Sequence, residues 1–77
     1  MSYTKRLYDL RTDNDYRQED IAKYLKITKQ AYGMYENGKR GLPIEYLIKL
    51  SQLYAVPTDY ILDLTDNPRL PDDYKKI

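Results

Sequence analysis

Gln18-Glu19-Asp20-Ile21-Ala22-Lys23-Tyr24-Leu25-Lys26-Ile27-Thr28-Lys29-Gln30-Ala31-Tyr32-Gly33-Met34-Tyr35-Glu36-Asn37-Gly38 is the stretch on which the fold turns. Its apolar residues recur with helical period. Ile21, Ala22 and Leu25 make the inner face of a helix that starts near Gln18. Tyr16 precedes that helix at the staple position for Ile21. Arg17 is a poor residue for its cap, although Glu19 and Asp20 suit the positive end of a helix dipole. Thr28 is a good cap for the next helix, because its hydroxyl can accept a first-turn backbone N–H. Ile27 before the cap and Tyr32 after it have the spacing of a hydrophobic staple. This helix is expected to run to about Tyr35 or Asn37 and to stop at Gly38, a residue suited to left-handed backbone.

Only Leu25-Lys26-Ile27 separates these two short helices. A connection that tight is the sequence mark of a helix-turn-helix. Ala22 is small where the two helices cross, and a larger side chain would push them apart. Ile21, Ile27, Tyr32 and Tyr35 are expected to fill the wedge between them.

Outward from this centre the period stays helical. Tyr3, Leu7, Leu10 and Arg11 share one face of a first helix over about residues 4–13, which Asn14-Asp15 breaks. Lys39-Arg40-Gly41-Leu42 reads as a loop, and Pro43 suits the first turn of a fourth helix. Leu47, Leu50, Leu53 and Tyr54 form its apolar face, and Val56-Pro57 ends it. Thr58 and Asp59 open a short fifth helix whose apolar content is Tyr60, Ile61, Leu62 and Leu64. From Thr65 onward the composition becomes that of an extended or disordered tail. The expected organisation is one domain over residues 1–65 and a tail over 66–77. No stretch alternates long enough for a strand, so the fold class is an all-α, compact five-helix bundle.

Composition narrows the function. A chain of 77 residues leaves room for one small domain with a thin core. It contains no Cys and no His, which removes disulfides, thiolate zinc sites and the usual catalytic base. No metal, cofactor or catalytic residue is expected, and an enzyme is the least favoured class. Apolar runs are too short to span a membrane, and Met1 to Arg6 lack a signal peptide's apolar stretch, so a cytoplasmic setting is expected. The net charge of +1 hides a division. Residues 1–55 carry ten Lys/Arg against seven Asp/Glu, whereas residues 56–77 carry three against five. A mildly basic body with an acidic tail permits nucleic-acid contact through a few placed residues. Ten Tyr with no Phe or Trp read as Tyr replacing Phe in a small core with hydroxyls at the rim. Stacking on single-stranded bases would need a sheet platform that the helical period does not provide.

The pattern Gln18-Glu19-Asp20-Ile21-Ala22 … Leu25-Lys26-Ile27-Thr28 … Tyr32 … Tyr35-Glu36-Asn37-Gly38-Lys39-Arg40 resembles the Cro/phage-repressor helix-turn-helix family, also called the xenobiotic-response-element family. The run Leu53-Tyr54-Ala55-Val56-Pro57-Thr58-Asp59-Tyr60-Ile61-Leu62 is similar to that family's fourth and fifth helices. The resemblance covers about residues 3–67. It implies a bundle of the lambda-repressor-like type with the third helix in the major groove of double-stranded DNA. Lys29, Gln30, Gly33 and Met34 lie on the stripe opposite Ala31, Tyr32 and Tyr35 and become base-contacting candidates. Lys29 suits guanine O6/N7, Gln30 suits adenine N6/N7, and Met34 suits a thymine methyl. Gln18, Thr28, Asn37, Lys39 and Arg40 become phosphate-contacting candidates. The resemblance also implies an ion pair between Arg11 and Glu36. Three positions depart from the family pattern: Lys26 and Asp15 stand where Gly is common, and Arg17 replaces a Ser/Thr cap.

The first functional expectation is a repressor-like, sequence-specific transcriptional regulator, nucleoid-associated when bound. One recognition helix reads too few base pairs, so a homodimer on a palindromic operator is expected. Leu42, Ile44, Tyr46, Ile61 and Leu64 are the candidates for its dimer surface. The second expectation is a protein-interaction module on the same fold, antitoxin-like or antirepressor-binding. In either case the acidic tail from Asp63 to Asp73 is a possible contact for a protein partner.

Overall fold

Local chemistry sets the helix ends. The computed structural model describes residues 3–70, which form α1 (Tyr3–Asp13), α2 (Gln18–Leu25), α3 (Lys29–Glu36), α4 (Ile44–Tyr54) and α5 (Thr58–Ile61). No strand occurs among the described residues. After α1, the Asn14 side chain donates to the Leu10 carbonyl at 2.7 Å and Asp15 takes a left-handed φ of 60°. The α2 cap is Arg17, whose side chain makes no capping bond. Asp20 supplies the missing half, accepting the Arg17 N–H at 2.8 Å, so a carboxylate three residues on compensates for a poor cap.

The turn between α2 and α3 centres on Lys26, left-handed at φ 62°. A non-glycine residue there is strained. The turn is held because the Ile27 N–H donates to the Ala22 carbonyl at 2.9 Å. Thr28 caps α3, its hydroxyl accepting the Ala31 N–H at 3.0 Å. α3 stops at Glu36, followed by Asn37 and by Gly38 at φ 82°, which needs glycine's freedom. Pro43 is the cap of α4 rather than its first turn, and α4 ends at Tyr54, with left-handed Ala55 (φ 55°) as its C-terminal cap just before Val56-Pro57. There Val56 folds back onto Ser51, whose hydroxyl donates to the Val56 carbonyl.

The core joins Leu7 and Leu10 of α1, Ile21, Ala22 and Leu25 of α2, Tyr32 and Tyr35 of α3, Leu50 of α4, Val56 and Ile61. α2 packs mainly on α3, α1 bridges α3 and α5, and α4 lies against α5. Each element buries only one face, so no helix is stable alone. Rings fill the seams: Tyr16 meets Tyr54 at 6.3 Å between centroids, and Tyr35 meets Tyr46 at 5.9 Å.

Ile61, expected at the dimer surface, is instead fully buried, because α5 packs on α1 and α4 and turns that residue inward. The tyrosine hydroxyls do not all reach the rim, since those of Tyr32 and Tyr54 are buried near the Arg11–Glu36 pair. Burial pushes both phenols well above their ordinary range. The tail expectation falls partly outside the described residues, which stop at 70. Asp63, at the start of the acidic tail, is tied to the body: Arg6 Nη2 donates to it at 2.6 Å.

Candidate nucleic-acid interface

α3 is exposed along one stripe and buried along the opposite one. Lys29 and Gln30 are exposed, Met34 is 37% exposed, and Tyr32 and Tyr35 face the core. Lys29, Gln30, Gly33 and Met34 line a single open groove. Gln18 borders it from the start of α2, and Asn37 and Lys39 border it from the end of α3. Seven of the candidate contact residues therefore meet on one surface, although they come from two helices and a loop.

Two candidates stand apart from that groove. Thr28 is exposed at the α3 cap, with its hydroxyl already accepting the Ala31 N–H. Arg40 is exposed in the loop beyond Lys39. That loop is folded back tightly: Lys39 and Arg40 both donate backbone N–H groups to the Met34 carbonyl, at 2.9 and 3.2 Å. The Asn37 side chain accepts the Lys39 N–H at 3.0 Å, which fixes where the lysine leaves the helix end. Two successive cations beside the groove form a positive lip suited to an anionic backbone.

Behind the groove lies a polar buttress. Arg11 Nε donates to Glu36 Oε2 at 2.8 Å and Nη2 donates to Oε1 at 2.9 Å, a bidentate pair between α1 and α3. The third donor, Nη1, reaches the Tyr16 carbonyl at 2.9 Å. The two side chains are 12% and 6% exposed. Burial by itself raises the Glu36 carboxyl, but the hydrogen bonds from Arg11 and Gln18, with the Tyr32 hydroxyl alongside, outweigh it and hold the carboxyl below its ordinary value. Gln18 Nε2 donates to Glu36 Oε1 at 3.3 Å. The same Gln18 side chain lies 3.6 Å from where a Cβ on Gly33 would sit. Gln18 is thus oriented from below while bordering the groove.

Sequence reasoning did not single out Thr4, Lys5 and Tyr8. They line a second groove that adjoins the first and shares Gln18, Gly33 and Asn37 with it. Nothing local marks them, because α1 reaches this face only through its packing on α3. Three further exposed apolar residues lie outside both grooves: Ile44 (74%), Ile48 (47%) and Leu64 (73%). Leu42 and Tyr46 are partly buried. Ile48, one turn after Ile44, was legible from its i+4 spacing. No cluster of His, Cys, Asp or Glu among the described residues is arranged to hold a metal.

A family model described as helix-turn-helix matches residues 7–61. The chain belongs to that family. It is 41% identical over 66 residues to the uncharacterized HTH-type transcriptional regulator YobD of Bacillus subtilis (strain 168), covering 86% of this chain and 59% of that protein. It is 40% identical over 62 residues to the HTH-type transcriptional regulator ImmR of the same organism, covering 80% of this chain and 49% of ImmR. It is 33% identical over 55 residues to the cryptic phage CTXphi transcriptional repressor RstR of Vibrio cholerae, covering 71% of this chain and 50% of RstR. The chain therefore spans about half to three-fifths of these relatives' lengths. The matched family segment runs from the middle of α1 to the end of α5 and contains the whole α3 groove. No helix among the described residues is long and apolar enough to cross a membrane.

Proposed function

We propose that this helix-turn-helix domain binds double-stranded DNA in a sequence-specific manner and acts as a repressor-like transcriptional regulator. The observation that carries the reading is the α3 groove, where exposed Lys29, Gln30 and Met34 share one surface with Gln18, Asn37 and Lys39. That grouping suits a helix laid in the major groove, with base edges met by the exposed stripe of α3 and backbone phosphates by the residues around it. Lys29 donates to a base edge and Gln30 both donates to and accepts from one, while Gln18, Thr28, Asn37, Lys39 and Arg40 hold phosphates. The related regulators, one of which is named as a repressor, support the regulatory role over an enzymatic one.

The finer part of the proposal is a homodimer on a palindromic operator, with half-sites about 34–36 Å apart along the duplex. Exposed Ile44 and Leu64 support a self-complementary contact, with Leu42 and Tyr46 at its edge. Selection of sites from a random duplex pool at one fixed salt concentration tests the proposal. An enriched palindrome supports it. A folded protein that enriches nothing favours the interaction-module reading, in which the exposed apolar residues and the acidic tail engage a protein instead.

A further inference from the structure

Nothing inside the protein calls for glycine at position 33. The residue lies within α3 and its φ is not in the positive region, so glycine's conformational freedom is not needed. Packing does not need it either. Among the described residues, a Cβ placed there would meet only Gln18 Oε1, at 3.6 Å, an ordinary contact with the end of a flexible side chain. Glycine within a helix is also less favourable than alanine, so the position weakens α3 without an internal return. Yet Gly33 lines both of the adjoining grooves and sits in the middle of the exposed face. What it leaves there is bare helix backbone with room for a methyl group, bordered by the Gln18 side chain. Met34 lines the same groove and supplies an apolar thioether wall.

Bare backbone beside an apolar side chain lets a small group without hydrogen-bonding needs approach closely. In the major groove, the C5-methyl of thymine is that group. Resting on the DNA-binding reading above, we propose that Gly33 is a receptor for a thymine methyl, with Met34 as its wall, and that the missing side chain is a specificity element. The helix backbone is then the surface that reads one base, between the polar contacts of Gln30 and those of Asn37.

The test measures binding of the wild type and of Gly33→Ala to the selected site and to duplexes in which deoxyuridine replaces each thymidine singly. Thermal unfolding of both proteins is followed in parallel. Loss of one buried methyl should weaken wild-type binding about fourfold at one thymidine per half-site. Gly33→Ala should weaken binding to the thymidine site and lose the preference for thymidine at that position, because the alanine methyl fills the opening. Its melting temperature should rise, which separates the binding loss from unfolding. If Gly33→Ala binds as tightly as the wild type with the same thymidine profile, the receptor role is overturned. A wild-type profile that is flat at every thymidine overturns it as well. If the wild type selects no site at all, the DNA-binding reading itself fails.

Discussion

Replacing Arg11 with Met should cost the domain much of its stability, and the cost should shrink as the pH falls. The Arg11–Glu36 pair is bidentate and nearly buried, with Glu36 6% exposed. Removing the guanidinium leaves a buried carboxylate held only by Gln18 and the Tyr32 hydroxyl beside it. Breaking a buried pair from one side costs about 3–5 kcal/mol. At roughly 0.05–0.15 kcal/mol per residue, a 77-residue domain has about 4–12 kcal/mol in total, so Arg11→Met should unfold an appreciable fraction near neutral pH. The direction of the pH effect follows from Glu36. In the wild type its folded pKa lies below the ordinary 4.5, so the pair's contribution is present above that value and fades as the pH drops through the folded value. In Arg11→Met the largest lowering influence is gone and burial continues to raise the carboxyl, so the variant relieves its buried charge by taking up a proton. Urea unfolding at pH 7, 5.5 and 4.5, for the wild type, Arg11→Met, Glu36→Leu and the double variant, measures this. The double variant should lose less than the sum of the singles, by about 0.5–3 kcal/mol. A deficit for Arg11→Met that is constant across that range, with strictly additive singles, would show that the pair is not coupled and that Glu36 does not carry a buried charge.

Other perturbations separate the roles of individual residues. Gln30→Ala should reduce affinity for the preferred site by about 1–3 kcal/mol and relax preference at one base position, as read by competition against single-base variants of that site. Equal weakening on all sequences would instead assign Gln30 to the backbone. Lys39→Ala should weaken all duplexes alike and reduce the slope of log K against log salt by about one, and an unchanged slope would remove its phosphate contact. Arg6→Met should destabilise the fold by about 1–3 kcal/mol, because it loses a charge-assisted bond to Asp63 and a cation–π contact with Tyr60, whose ring centre lies 3.9 Å away. Asp66→Asn should leave the urea unfolding midpoint unchanged, because Asp66 is fully exposed and 3.6 Å from Arg6.

The helices and the turn between α2 and α3 were legible because their signals are local. Thr28, Gly38 and the three-residue connection act over a few positions, and each appears in the structure where capping chemistry places it. The left-handed Lys26 was legible too, as a departure whose strain the Ile27–Ala22 bond holds in place. α5 was harder. A helix of four residues shows no period, so Ile61, Leu62 and Leu64 offered no way to tell the buried residue from the exposed one. The link from Arg6 to Asp63 and Tyr60 was invisible because its partners lie more than fifty residues apart and neither side has a motif. The Asp20 contact that supports the Arg17 cap is local, and a capping box read with Asp at its third position would have found it. The candidate interface was legible as a set of residues on α3. Its depth was not, because the bonding of Gln18 to Glu36 and the approach of Thr4, Lys5 and Tyr8 depend on how α1 packs.

Mapping of backbone amide shifts while the folded protein is titrated with its selected duplex tests most directly whether the α3 groove is the DNA-binding face. The largest changes should fall on Gln18, Lys29, Gln30, Gly33, Met34, Asn37 and Lys39, with the α4–α5 surface changing only where two copies meet. Changes concentrated on α4 and α5 with α3 silent would show that the duplex binds elsewhere and that the groove has another use.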